Sequence, residues 1–88
     1  MIPKRTAIEV QELFCYNVCN GFLAFCKDNK INITTILNNP GKTSRQTVYA
    51  VSRGKIKYIP IICLCYLAAL LGFSSPSLLE QYYINQSK

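Results

Sequence analysis

The sequence predicts an all-α fold, a small helical bundle of about five helices, and three observations support this. Apolar residues recur at helical spacing along most of the chain, glycine and proline stand between the periodic stretches, and no alternating strand pattern competes with them. Half of the 88 residues are apolar, which is enough for one modest core but too little for a second. We therefore expect residues 1–88 to form one domain.

The first helical stretch begins with Thr6-Ala7-Ile8-Glu9, the pattern of a capping box, in which Thr6 is the N-cap and Glu9 reaches back to it. Apolar residues at helical spacing continue this stretch to Cys26. Gly21 lies inside the pattern, and glycine costs up to ~1 kcal/mol in a helix interior. The residues leave open whether this stretch is one long helix or two.

A short second helix follows the polar residues 27–30. Asn32 is a good N-cap residue, and three aliphatic residues at 33, 36 and 37 form a short helical stripe. The helix is expected to end at about Asn39, because the residue before Pro40 disfavours helical geometry. Gly41 stands where a left-handed C-terminal cap would lie.

The third helix is predicted around residues 44–53, with Thr43 or Ser44 as its cap. Val48 and Val51 lie three residues apart and therefore face one side. The opposite side carries polar and aromatic residues: Arg45, Gln46, Tyr49 and Arg53. Gly54 is expected to end the helix.

A basic connector at 55–59 leads to Pro60, which suits the first turn of a fourth helix over 61–71. This helix is apolar on nearly all sides, which predicts burial, with a partner subunit completing it in so small a domain. The run is shorter than the ~20 apolar residues of a membrane span. Gly72 ends it, and Pro76 opens a short last helix that runs through Tyr82.

The composition narrows the range of possible functions. The chain contains ten Lys and Arg residues and four acidic residues, giving a net charge of +6, which suits an anionic partner such as nucleic acid or a membrane surface. Histidine is absent and the acids form no obvious carboxylate pair, so we expect no enzyme activity and no cofactor. The five cysteines lack the Cys-x-x-Cys spacing of metal sites and are interpreted as small hydrophobic residues in a reducing cytoplasm; a structural zinc held by four of them, at 15, 19, 63 and 65, is the alternative.

The stretch Ser-Arg-Gln-Thr-Val at 44–48, followed by Val51 and then Arg-Gly-Lys at 53–55, resembles the recognition helix of phage Cro and repressor-type (XRE-like) helix-turn-helix regulators. In that family the pattern reads roughly Ser-Arg-x-Thr-aliphatic-x-x-aliphatic-Glu-Arg-Gly. The resemblance covers residues 22–72, with 6–21 as an N-terminal helical extension and 73–88 as a C-terminal helix and tail. The chain departs from the pattern in one extra residue before Ser44, in Pro40 and in Ser52.

The resemblance implies a lambda-repressor-like fold that places the third helix in the major groove of duplex DNA. The residues expected to read bases are Ser44, Arg45, Gln46 and Tyr49. The residues expected to contact phosphates are Asn32, Lys42, Thr43, Arg53, Lys55 and Lys57.

The sequence thus predicts a sequence-specific transcriptional regulator, a phage or mobile-element repressor that occludes a promoter and binds double-stranded DNA as a homodimer in the bacterial cytoplasm or nucleoid. No small-molecule ligand is implied. Two alternatives remain. One is a protein-interaction module on the same fold, of antitoxin or anti-repressor type, which would use the apolar helix or the N-terminal extension. The other is a membrane-associated peptide using residues 58–73.

Overall fold

The computed structural model describes residues 4–37 and 44–86, and all regular secondary structure in these residues is helical. This confirms the predicted all-α class with five helices. In chain order they are α1 (Lys4–Asp28), α2 (Ile33–Ile36), α3 (Arg45–Ser52), α4 (Ile61–Leu70) and α5 (Pro76–Gln86).

Helix α1 is a single 25-residue helix that continues through Gly21, which answers the question left open by the sequence. Residues 6–21 are therefore continuous with the remainder of the helix. Because α1 begins at Lys4, Thr6 lies inside the first turn, and the predicted capping box at Thr6 and Glu9 is wrong.

The reason for a glycine in the middle of α1 is the close approach of α5. A Cβ atom on Gly21 would lie 2.9 Å from the carbonyl carbon of Leu79, closer still to its oxygen, and 3.4 Å from the Cβ of Tyr83. Only a residue without a side chain lets the two helices meet at this point. The C-terminal helix, expected to be short and to run through Tyr82, extends to Gln86 and packs directly against the longest helix of the fold.

Polar and aromatic contacts join α1 to α5 on both sides of this crossing. The Asn17 amide donates to the Glu80 carboxylate at 3.1 Å, and the Tyr82 hydroxyl donates to Asp28. The hydrogen bond to Asp28 raises the pKa of Tyr82. Phe25 makes an edge-to-face contact with the Tyr82 ring at a centroid distance of 5.4 Å.

The core lies between α1 and the other helices, and its cysteines occupy it as small hydrophobic residues. The buried apolar side chains are Cys15, Val18, Cys19, Phe22, Cys26, Leu37, Val48, Val51, Ile59, Leu64, Leu67, Ala68 and Leu79. Burial, with a smaller contribution from Cys15, raises the pKa of Cys19 from 9.0 to about 12. Burial also raises the pKa of Cys26 from 9.0 to about 11, so both thiols stay protonated at neutral pH.

Helix α2 is shorter than the sequence predicts, since it ends at Ile36 and Leu37 caps it. The expected end at Asn39, the turn residues Pro40 and Gly41, and the predicted phosphate contacts Lys42 and Thr43 lie outside the described residues. The predicted ends of α3 and α4 agree with the structure: Gly54 and Gly72 follow them with φ angles of +77° and +83°.

Helix α4 is covered by its own chain on one side only. Leu64, Leu67 and Ala68 are buried, but the opposite side of the helix is open to solvent. Its exposed residues are Ile61, Ile62, Cys65 and Ala69. The core of one 88-residue domain thus covers only one side of this helix, and completion of its burial by a partner subunit remains a prediction. No helix in the described part of the chain is long and apolar enough to cross a membrane.

Candidate nucleic-acid interface

Helix α3 presents a polar outer face because two valines anchor its inner face. Val48 is fully buried and Val51 is 1% exposed, as the spacing predicts. Arg45 and Gln46 are exposed and Tyr49 is half-buried on the outer face. An α-helix with its side chains is roughly 10–12 Å in diameter, which is close to the width of the major groove of B-DNA.

Two of the predicted DNA contacts serve as helix caps. The Ser44 hydroxyl accepts from the backbone N–H of Thr47 at 3.2 Å and lies 3.0 Å from the Thr47 hydroxyl. The side-chain amide oxygen of Asn32 (Oδ1) accepts from the N–H groups of Thr34 and Thr35 at 2.9 Å and 3.4 Å. Both side chains are exposed, so each fixes a helix start at the surface.

A side-chain contact links α2 to α3. The Arg45 guanidinium donates to the Thr34 hydroxyl at 2.6 Å, and both residues are exposed. The bond restricts the rotamers of a long side chain that would otherwise move freely in solvent. Sequence reasoning did not select Thr34; its only signal was its place two residues after the Asn32 cap, in the first turn of α2.

A second contact between two side chains lies at the C-terminal end of α3. The Arg53 guanidinium lies over the Tyr49 ring, 5.6 Å from its centroid. The Arg53 backbone N–H also donates to the Tyr49 carbonyl at 3.1 Å, which closes the helix. The structure therefore couples a predicted base contact to a predicted phosphate contact, and each side chain limits the movement of the other.

These side chains form one continuous surface. A shallow depression of about 220 Å³ between α2 and α3 is lined by Thr34, Leu37, Ser44, Arg45 and Gln46. A second depression of about 300 Å³ is lined by Gln46, Tyr49, Ala50, Arg53 and Lys55. Because Gln46 borders both, the two depressions adjoin along the outer face of α3. We call this surface, made of the residues lining the two depressions, the α3 surface.

Lys57 lies outside the α3 surface, although it is only two residues from Lys55. It lines a different depression, of about 250 Å³, whose other residues include Glu9 and Glu12 of α1. The structure therefore brings Lys55 to the α3 surface and places Lys57 beside the acidic side of α1. Sequence proximity alone suggested that the two lysines act together.

Charge is segregated along the chain in a way that favours an anionic ligand at α3. All four acidic residues belong to α1 or α5, and Asp28 and Glu80 are hydrogen-bonded between these helices. Residues 29–79 contain six Lys and Arg and no acid. The α3 surface thus belongs to a segment of the chain whose charged side chains are all basic, which favours the approach of anions; Glu9 and Glu12 line the separate depression that also contains Val51 and Gly54.

The described residues hold no group of three or more His, Cys, Asp or Glu side chains that could bind a metal ion. The cysteines are free: three are buried, Cys63 is half-buried and Cys65 is exposed. The zinc alternative therefore has no support in this part of the chain.

The chain matches no protein-family model, no curated protein and no solved structure.

Proposed function

We propose that this chain is a sequence-specific duplex DNA-binding protein that inserts α3 into the major groove. The observation that carries the proposal is the two-sided character of α3: a buried valine stripe on one side, and Arg45, Gln46 and Tyr49 on the other. Arg can donate two hydrogen bonds to O6 and N7 of guanine, and Gln can pair with N6 and N7 of adenine. Helix α2, the turn and α3 would together act as a helix-turn-helix.

The surroundings of α3 supply the positioning contacts. Asn32 at the start of α2, Arg53 at the C-terminal end of α3 and Lys55 after it are exposed residues with side-chain donors. Contacts to phosphates on both sides of a groove would set the orientation of the helix, whereas the base contacts would set the sequence. Lys57 contributes less in this arrangement, because it lies beside Glu9 and Glu12.

The proposed biological role is repression of transcription by occlusion of a promoter, in the bacterial cytoplasm. Such a protein gains specificity as a homodimer on a two-fold operator, because one small module reads few base pairs.

The test is selection of bound DNA from a random-sequence duplex pool, with wild type and with the double variant Arg45→Ala/Gln46→Ala. We expect an enriched motif, an inverted repeat with half-sites about one helical turn apart, that disappears in the double variant. Lys27→Ala, an exposed cation in the last turn of α1, is the matched control for loss of charge and should retain the motif. Binding without enrichment of any sequence would refute sequence-specific reading.

A protein-interaction module on the same fold is the second candidate, and the exposed apolar side chains of α4 favour it. Ile61 is 57% exposed and Ile62 is 72% exposed. The salt dependence of binding separates the two functions: DNA binding through several phosphates weakens steeply with ionic strength, whereas an apolar protein interface does not.

A further inference from the structure

We propose that the exposed side of α4 is the interface of a two-fold homodimer in which two α4 helices pack antiparallel. The exposed side chains of this face, which we call the α4 face, are Ile61, Ile62, Cys65 and Ala69. The proposal concerns the free protein and does not depend on DNA binding.

The chemistry of the α4 face selects an apolar partner. Ile62 is the most exposed of the large apolar side chains in the described part of the chain, at 72%, and Ile61 is exposed at 57%. Exposure of isolated apolar residues would need no explanation, but the exposed side chains of α4 lie together along one side of one helix. A neighbour that covers this side removes all of them from water together.

Charge makes a second copy a suitable occupant. The chain carries a net charge of +6, so two copies repel each other over most approaches. Residues 58–79 contain no Lys, Arg, Asp or Glu, and the α4 face lies wholly within this segment. Two copies that meet through this face bring no like charges into contact, and neither copy has to bury an ion.

The side-chain sizes along α4 are complementary to themselves in the antiparallel orientation. A two-fold axis crossing the helix between Cys65 and Tyr66 places Ile62 of each copy opposite Ala69 of the other, since the two residues are equally far from that axis. The most exposed large side chain of each copy then meets a small one, while Ile61 meets the half-buried Leu70, which is equally far from the axis. The small residues Cys65 and Ala69 also allow the helix backbones to come close. A parallel arrangement would instead set Ile62 against Ile62 and leave a gap between the two Ala69 residues.

The size of the contact sets the expected affinity. Stable complexes typically bury about 800 Å² per partner, and the four exposed side chains of one ten-residue helix supply less than this. We therefore expect a dimer that dissociates at micromolar concentration, observable by sedimentation velocity from low micromolar to several hundred micromolar protein without DNA.

The first test is Ile62→Glu, compared with Val10→Glu as the matched control. Val10 is 61% exposed on α1, so the control places the same charge at a similarly exposed apolar site. A carboxylate at position 62 lies in the first turn of α4, where it interacts favourably with the helix dipole and preserves the fold. We expect Ile62→Glu to raise the dimer dissociation constant about tenfold or more, because the carboxylate would be buried without a partner. An unchanged constant, or an equal effect of Val10→Glu, would overturn the proposal.

The second test separates antiparallel packing from any other use of the α4 face. Ile62→Ala leaves a gap and Ala69→Ile creates a clash, so each single variant should dimerise more weakly than wild type. The double variant Ile62→Ala/Ala69→Ile exchanges large and small residues and keeps the complementarity, so it should dimerise more strongly than either single variant. Additive losses in the double variant would contradict the antiparallel register.

Cross-linking locates the axis independently. Cys65 is exposed and next to the proposed axis, so a short bis-maleimide should join the two Cys65 thiols in high yield. Cys65→Ser should abolish the covalent dimer while the half-buried Cys63 is still present. If wild type is monomeric at the highest concentration, the face binds no second copy, and the proposed DNA reading by α3 is untouched by that result.

Discussion

Gly21→Ala offers a sharp test of the packing of α1 against α5, because local and tertiary effects predict opposite signs. In an isolated helix, alanine is about 1 kcal/mol more favourable than glycine. In this fold, the added methyl group would lie 2.9 Å from the carbonyl carbon of Leu79 and would press against backbone that cannot rotate away. Overpacking typically costs about 1–3 kcal/mol, and backbone contact belongs at the upper end of this range.

Combining a cost of about 3 kcal/mol with a gain of about 1 kcal/mol gives a net destabilisation of about 2 kcal/mol. For a domain of this size, that corresponds to a decrease in Tm of roughly 10 °C. Urea unfolding, monitored by circular dichroism, measures the change in the free energy of unfolding. An unchanged slope m of this free energy against urea concentration checks that unfolding stays two-state.

The control is the pair Gln11→Gly and Gln11→Ala, which compares the same two residues at an exposed position of α1. This pair should show alanine to be the more stabilising residue. If Gly21→Ala stabilises the protein by a similar amount, α5 does not approach α1 closely at this point, and the explanation of the mid-helix glycine is refuted.

Three further predictions follow from the cap, the buried thiols and the two lysines. Ser44→Ala removes the acceptor for the Thr47 N–H and should lower the free energy of unfolding by about 1 kcal/mol in urea titration, whereas Ser77→Ala, at an exposed site in α5, should change it by less than about half of that. Because folding raises the pKa values of Cys19 and Cys26 from 9.0 to about 12 and about 11, the folded state retains protons that the unfolded state loses. The contribution of these two thiols to stability should be constant below pH 9 and fall as the pH rises above it, and Cys19→Ala should reduce the slope measured by urea unfolding at several pH values above 9. Lys55→Ala should weaken DNA binding across sequences and reduce the slope of log K against log salt by about one, whereas Lys57→Ala should change this slope less; equal slopes would contradict the separation of the two side chains.

The helices and their faces could be predicted because their signals are local. The caps at Asn32 and Ser44 act on N–H groups two or three residues away, and the valines of α3 face inward because of their spacing. Gly54 and Gly72 end helices because the chain there adopts a positive φ angle that few other residues tolerate. Such interactions are complete within one or two turns, so they can be recognised without knowing the fold.

Only some features of the proposed DNA-contacting residues could be predicted from the sequence. The outer face of α3 follows from helical periodicity, and the structure keeps Arg45, Gln46 and Tyr49 on that face. It could not be foreseen that Arg45 bonds to Thr34, because these residues are eleven positions apart and belong to different helices. The sequence also could not predict that Lys57 and Lys55 lie in different depressions, since this depends on where the connector meets α1.

The sequence by itself therefore determined the fold class, the five helices, most of their ends and the inward side of α3. Only the tertiary structure decided that α1 is continuous through Gly21, because the partner that requires a glycine there is Leu79, 58 residues further along the chain. It likewise decided which half of α4 is covered, since a helix apolar on all sides carries no internal signal for the side that meets the core. In both cases the deciding contact joins segments remote in sequence, and local periodicity holds no information about such contacts.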